Sequence, residues 1–116
     1  MWTVILSGVV TDWLDQTDEA TYELFHAALR VLREEGPSLG RPLVDRVTES
    51  VVHNMKELRP GSAGSSEVRA LFVFDPSRQA IVLVVGDKSG EWNAWYKKTI
   101  PRAEKLYEAY LRGEEI

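Results

Sequence analysis

The spacing of apolar side chains changes period several times along this chain, and each change marks an element. Residues 2–6 are a short run of β-formers and predict a first strand. Thr11 stands where it can cap a short helical turn through Trp13 and Leu14. From Asp18 onward, Tyr22, Phe25, Leu29 and Leu32 recur at steps of three and four, which places them on one face of a longer helix. Glu19, Glu23, Arg30 and Glu34 project elsewhere, toward solvent. Gly36-Pro37 ends that helix, because glycine accepts a left-handed cap and proline cannot continue the hydrogen-bond ladder.

Residues 38–54 show no sustained period and read as a loop broken by a short element around residues 44–47. Residues 55–59 predict a short strand stopped by Pro60-Gly61, and the small side chains of residues 61–66 predict a flexible loop. The clearest signal follows. Val68, Ala70, Phe72 and Phe74 face one way, while Arg69, Leu71 and Val73 face the other. Asp75-Pro76-Ser77-Arg78 fits a type I turn with proline in second position, and residues 80–85, apolar on both faces, form the return strand. Ser89 is placed to cap a turn of helix containing Trp92, Trp95 and Tyr96. Pro101 then opens a final helix whose stripe is Ala103, Leu106, Tyr107, Tyr110 and Leu111, closed by Gly113.

A lone hairpin is marginal in water, so its strands require neighbouring strands and helices against them. The expected fold class is therefore α+β, with a mainly antiparallel sheet of three to five strands. The first long helix and the last helix should pack their Phe25/Leu29 and Leu106/Tyr110 stripes on that sheet. Residues 1–113 read as one domain and residues 114–116 as a short tail.

Composition narrows the chemistry. The 116 residues include no cysteine and two histidines, which excludes disulfides, thiol nucleophiles and thiolate metal sites. No cofactor or metal is expected. Residues 61–64 lack the lysine and the following serine or threonine of a phosphate-binding loop. His26 sits on the edge of the helical stripe, and Asp12, Asp15, Asp18 and Glu19 read as ordinary helix-start charges. The longest strongly apolar stretch, residues 80–85, is far shorter than the roughly 20 residues of a membrane helix, and no leader pattern opens the chain, so a cytoplasmic protein is expected.

The net charge of -4 conceals an asymmetry. Residues 1–50 carry 4 basic and 9 acidic groups, whereas residues 51–112 carry 10 basic and 7 acidic. In that second half His53, Lys56, Arg59 and Arg69 fall on or beside predicted strands, and Lys88, Tyr96, Lys97 and Lys98 follow the hairpin. Cations of this kind fix phosphates and stabilise the extra charge of a pentacoordinate phosphoryl transition state, while an aromatic ring stacks on an unpaired base. The plainer reading is a solvated basic rim in which Arg69 pairs with Glu57 or Glu67.

The run His53-Asn54-Met55-Lys56-Glu57-Leu58-Arg59, followed by Glu67-Val68-Arg69-Ala70-Leu71-Phe72, resembles the strand signature of RelE/HigB-type toxins of bacterial type II toxin–antitoxin systems, and most nearly their phage-derived HigB-like branch. The strand at residues 81–85, Gly86-Asp87-Lys88 and Trp95-Tyr96 extend the likeness. It implies a small RelE-like domain, a twisted and mainly antiparallel sheet packed by helices. It implies a metal-independent, ribosome-dependent endoribonuclease that cuts translated mRNA, neutralised by a cognate antitoxin, expected to be of helix-turn-helix type. Operator DNA would be reached only through that complex. Residue by residue, it implies Lys56 and Arg69 as catalytic or phosphate-binding cations, His53 as an acid or base and Tyr96 as a late aromatic. Arg59, Lys88, Lys97 and Lys98 would then contact RNA. Family toxins are commonly basic, whereas the pI here is near 5.2. A ParE-like gyrase poison and a degenerate toxin serving as a protein-binding module therefore stay open.

Overall fold

The anticipated strands all form, and they join in one sheet. The computed structural model describes residues 1–116. Its elements are β1 (Thr3–Leu6), α1 (Gly8–Gln16), α2 (Glu19–Glu35), β2 (Val44–Arg46), β3 (Met55–Leu58), β4 (Val68–Asp75), β5 (Gln79–Asp87) and α3 (Asn93–Leu111). The five strands lie in the order β1-β5-β4-β3-β2. Only the β1–β5 pair is parallel; the other three pairings are antiparallel. The fold is α+β, as the periodicity requires.

The sheet separates two cores, and strand alternation decides which side chain enters which. On one face Val10 of α1 and Phe25 and Leu32 of α2 pack against Val68, Ala70, Phe72, Ala80 and Val82. On the other, Trp95, Ile100 and Ala103 of α3 pack against Met55, Leu71, Val73, Ile81 and Leu83. The alternation in β5 slips once. Leu71 pairs with Val84 but Phe72 pairs with Val82, so Leu83 is the extra residue of a β-bulge. Its carbonyl accepts the Ser7 hydroxyl at 2.6 Å. The loop leaving β1 thus satisfies the group that the bulge frees.

Three local expectations change. α1 begins at Gly8 and is capped by Ser7, whose hydroxyl accepts from the Val10 N–H at 3.3 Å; Thr11 instead donates its hydroxyl back to the Gly8 carbonyl. In α2, which starts after Asp18 and is capped by its side chain, the buried positions are Thr21, Phe25, Ala28 and Leu32. The small Thr21 occupies the sheet-facing place near the helix start, and Tyr22 stays 44% exposed with its ring stacked on His26. The third change is largest: α3 is one continuous helix of 19 residues with Pro101 in its interior. Trp95, Thr99, Ile100 and Ala103 remain in phase across the proline. Burying that stripe outweighs an interruption worth about 3 kcal/mol. Ser89 does not cap this helix; its N–H binds the Asp87 carboxylate at 2.9 Å. Glu104 ties α3 to the loop before β3 by accepting from the Ser50 hydroxyl at 2.7 Å and the Val51 N–H at 2.8 Å. No helix is long and apolar enough to cross a membrane.

Candidate active site

Polar groups enter the sheet's α3 face near the end where β3 finishes and β4 begins. Glu57 pairs with Leu71 and so points toward α3, although only 3% of it is exposed. Arg59, two residues on, lies on the same side. Its Nε donates to Glu57 Oε1 at 2.7 Å and its Nη2 to Asp45 Oδ2 at 3.1 Å. The hydrogen bond to Glu57 raises the Arg59 pKa, with the Asp45 charge adding to it. Arg69 stands opposite Gly86 on β5 and reaches the same carboxylate less closely, with Nε 4.0 Å from Glu57 Oε1. Its Nη1 donates to the Val68 carbonyl at 2.8 Å. Glu57 Oε2 and Arg69 Nε are buried without a hydrogen-bond partner. Bare buried polar atoms are uncommon and costly, so finding both in one cluster points to a ligand site.

Tyr96, on the first turns of α3, covers this cluster. Burial, then the neighbouring Glu57 carboxylate, pushes its hydroxyl well above the usual tyrosine range. At neutral pH it is an O–H donor. Beyond Tyr96 lies Lys88, whose ammonium sits 5.3 Å from the centre of that ring and 4.7 Å from the centre of the Trp92 ring. Gly86 lets α3 approach: a Cβ there would stand 2.7 Å from Trp95 Nε1. Glu57, Arg59, Asn93, Glu49 and Tyr96 line a cleft of about 200 Å³. Tyr96, Asn93 and Glu49 also border a neighbouring groove of about 450 Å³ that runs past Lys97 to Pro101.

The family description "Phage derived protein Gp49-like (DUF891)" matches residues 12–108. Two relatives come from Mycobacterium tuberculosis (strain ATCC 25618 / H37Rv). "Putative toxin HigB2" is 53% identical over 95% of this chain, which spans 54% of that protein's length. "Putative toxin HigB3" is 48% identical over 96% of this chain and 95% of its own. The chain belongs to the Gp49-like, RelE/HigB-type toxin family. The fold is shared with a double arginine-to-alanine mutant of the E. coli toxin RelE in the free state, at a TM-score of 0.58 and 13% identity, covering 85% of this chain and 97% of that one.

Within this HigB-type domain the residues singled out from sequence are only partly brought together. Arg59, Arg69 and Tyr96 converge on Glu57, and Lys88 adjoins Tyr96. Lys56 does not join them. It pairs with Phe72 and lies on the α2 face, its ammonium 5.5 Å over the Phe74 ring. The expectation that Lys56 and Arg69 hold one phosphate is therefore corrected, since strand parity sets them on opposite sides of the sheet. His53 is exposed in the turn before Met55, at the other end of β3 from Arg59. Lys97 lines the larger groove, while Lys98 is engaged by Glu91 at 2.7 Å. Sequence reasoning took Glu57 only as a counter-ion and passed over Trp92. The Glu57/Arg59 spacing of two, which puts both on one strand face, was the available signal for the first.

Proposed function

We propose that this Gp49-like chain is the toxin of a toxin–antitoxin pair and cleaves messenger RNA on the ribosome without a metal. The ribose 2′-hydroxyl attacks its adjacent phosphorus, leaving a 2′,3′-cyclic phosphate on one fragment and a 5′-hydroxyl on the other. Arg69 neutralises the phosphate, Glu57 fixes the directions of Arg59 and Arg69, and the Tyr96 hydroxyl donates to a phosphoryl oxygen or its ring packs on a base. The observation that carries this reading is the largely buried Arg69 with an unpartnered Nε, next to Glu57 and Tyr96, which themselves line the cleft. A cognate antitoxin, of helix-turn-helix type, would bind the folded toxin and suppress it.

The test is primer extension on transcripts after controlled expression. Arg69→Ala should lower cleavage about 10²- to 10³-fold, the usual effect of removing one transition-state donor, with folding retained. Arg69→Lys should restore it in part, because the ammonium lacks the planar bidentate fork. Growth arrest with transcripts intact in translated regions would overturn the reading. A non-nucleolytic toxin is the second reading, favoured by the carboxylates that already occupy Arg59 and Lys98. DNA-damage signalling with intact messages would identify it as a gyrase poison.

A further inference from the structure

Lys88 carries a charge that nothing in the fold answers. The residue is only 8% exposed. Its Nζ has neither an ion-pair nor a hydrogen-bond partner, and the rings of Trp92 and Tyr96 flank it. Aromatic faces stabilise an ammonium but accept no strong hydrogen bond, so its donors remain to be used. The stem is buried while the ammonium itself reaches the surface between the two rings, where a phosphate oxygen could meet it. Trp92 presents the complementary oddity. It is 60% exposed, a large apolar ring in water, and its backbone has φ +45°, a conformation unfavourable for any residue but glycine. Two hydrogen bonds hold it there: the Trp92 N–H donates to the Lys88 carbonyl at 3.1 Å, and the Trp92 carbonyl accepts from the Trp95 N–H at 3.2 Å. With Lys88 over one side of the indole, the exposure falls on the remaining surface. The fold therefore spends backbone strain to display a ring next to an unanswered cation.

We propose that Trp92 and Lys88 form a subsite for one unpaired nucleotide of the RNA, its base stacked on the indole and its phosphate on the Lys88 ammonium. This rests on the ribonuclease reading above and extends it, because Tyr96 is shared by the Glu57 cluster and the Lys88 cage. The subsite lies beside the reacting phosphate and sets how tightly the strand is held there. It chooses for single-strandedness, since a base within a duplex cannot reach the ring. Charge and ring act separately and can be told apart.

The experiment is equilibrium binding of a fluorescein-labelled single-stranded RNA hexamer to the purified full chain, measured across a salt series. Trp92→Ala should weaken binding about 5- to 150-fold, the range of one base–aromatic stack, while leaving the salt dependence as in the wild type. Trp92→Phe should recover much of the loss and Trp92→Leu little, because stacking needs a π-face. Lys88→Met, which keeps the buried stem, should reduce the slope of log K against log salt by about 0.7, the signature of one lost single-strand phosphate contact. Thermal unfolding of each variant verifies the fold. Binding of Trp92→Ala within twofold of wild type, or an unchanged slope for Lys88→Met, would overturn the subsite. So would a Trp92→Ala protein that loses a protein partner but keeps RNA. Primer extension with the wild type decides the ribonuclease reading independently: ribosomal cleavage without hexamer binding would sink the subsite alone.

Discussion

The two faces of the sheet are built to different rules. Under α1 and α2 the buried cluster runs from Val10 and Phe25 to Phe72 and Val82, with Thr21 at its margin and no buried polar side-chain atom left without a hydrogen-bond partner. Under α3 an apolar cluster is bordered by buried or half-buried Glu57, Arg69, Lys88 and Tyr96. Both buried side-chain atoms that lack a hydrogen-bond partner, Glu57 Oε2 and Arg69 Nε, lie on this second face. Each such atom costs about 1–3 kcal/mol. A fold can carry that cost on one face because the other is packed without compromise, and the division locates chemistry where local rules are broken.

Breaking the apolar face should give the largest effect on stability. Phe25 is fully buried in the α1/α2-side core, with Trp13 6.1 Å away ring to ring. Phe25→Ala should lower the unfolding free energy by about 3–5 kcal/mol, read from urea titrations, while the α3-face cluster keeps its geometry at temperatures where the protein is folded. On the opposite face Glu57→Ala should cost less, about 1–3 kcal/mol, because Arg59 is partly solvated and lies between the exposed and buried limits for an ion pair. Its effect on RNA cleavage should exceed its effect on stability, since both arginines lose their anchor. Equal losses of the two would make Glu57 a structural residue.

A smaller effect, confined to alkaline pH, marks the far end of the α3 face. The Tyr110 hydroxyl donates to Asp75 Oδ2, and that bond, aided by burial, pushes its pKa up to about 12. The folded state therefore favours the neutral phenol. The resulting stability is fully present below about pH 10 and is lost as pH rises through about 12. Tyr110→Phe should remove that part of the alkaline decline, seen as a flatter stability profile in urea titrations between those values. Smallest of all, Lys98→Ala should change stability by under about 0.5 kcal/mol, because its pair with Glu91 lies in water. A larger loss would mean that the α3 start is stiffer than its exposure indicates.

Much of the fold was legible because single strands and helices announce themselves through local period. The alternation in β4 divides Phe72 from Arg69 before any partner strand is known, and the two do lie on opposite faces. The partner strand is where local reading ended. Lys56 and Arg69 are separated by register, since Lys56 stands opposite Phe72, and no spacing within either strand states that pairing. Proline misled for a related reason: Pro101 is a helix starter by propensity, but tertiary burial of Trp95 and Ile100 before it and Ala103 after it decides the outcome. Arg69 stands out in the sequence because a cation among apolar strand residues is conspicuous. Trp92 was missed because an aromatic near two others reads as core until its exposure is known.

The bulge at Leu83 acts as a phase shifter. Up to Val82, β5 keeps the beat of the hydrophobic core; from Val84 onward it is displaced by half a period, so Val85 returns to the α2 side and Gly86 meets Trp95. Straightening the strand at constant length would turn every later side chain over. Gly86 would then leave the indole it makes room for, and Val85 would bring its side chain against α3 instead. The anchor of that offset is the hydroxyl of Ser7, 76 residues before Leu83 in the chain. An irregularity far from the cleft thus keeps time for the residues that shape it.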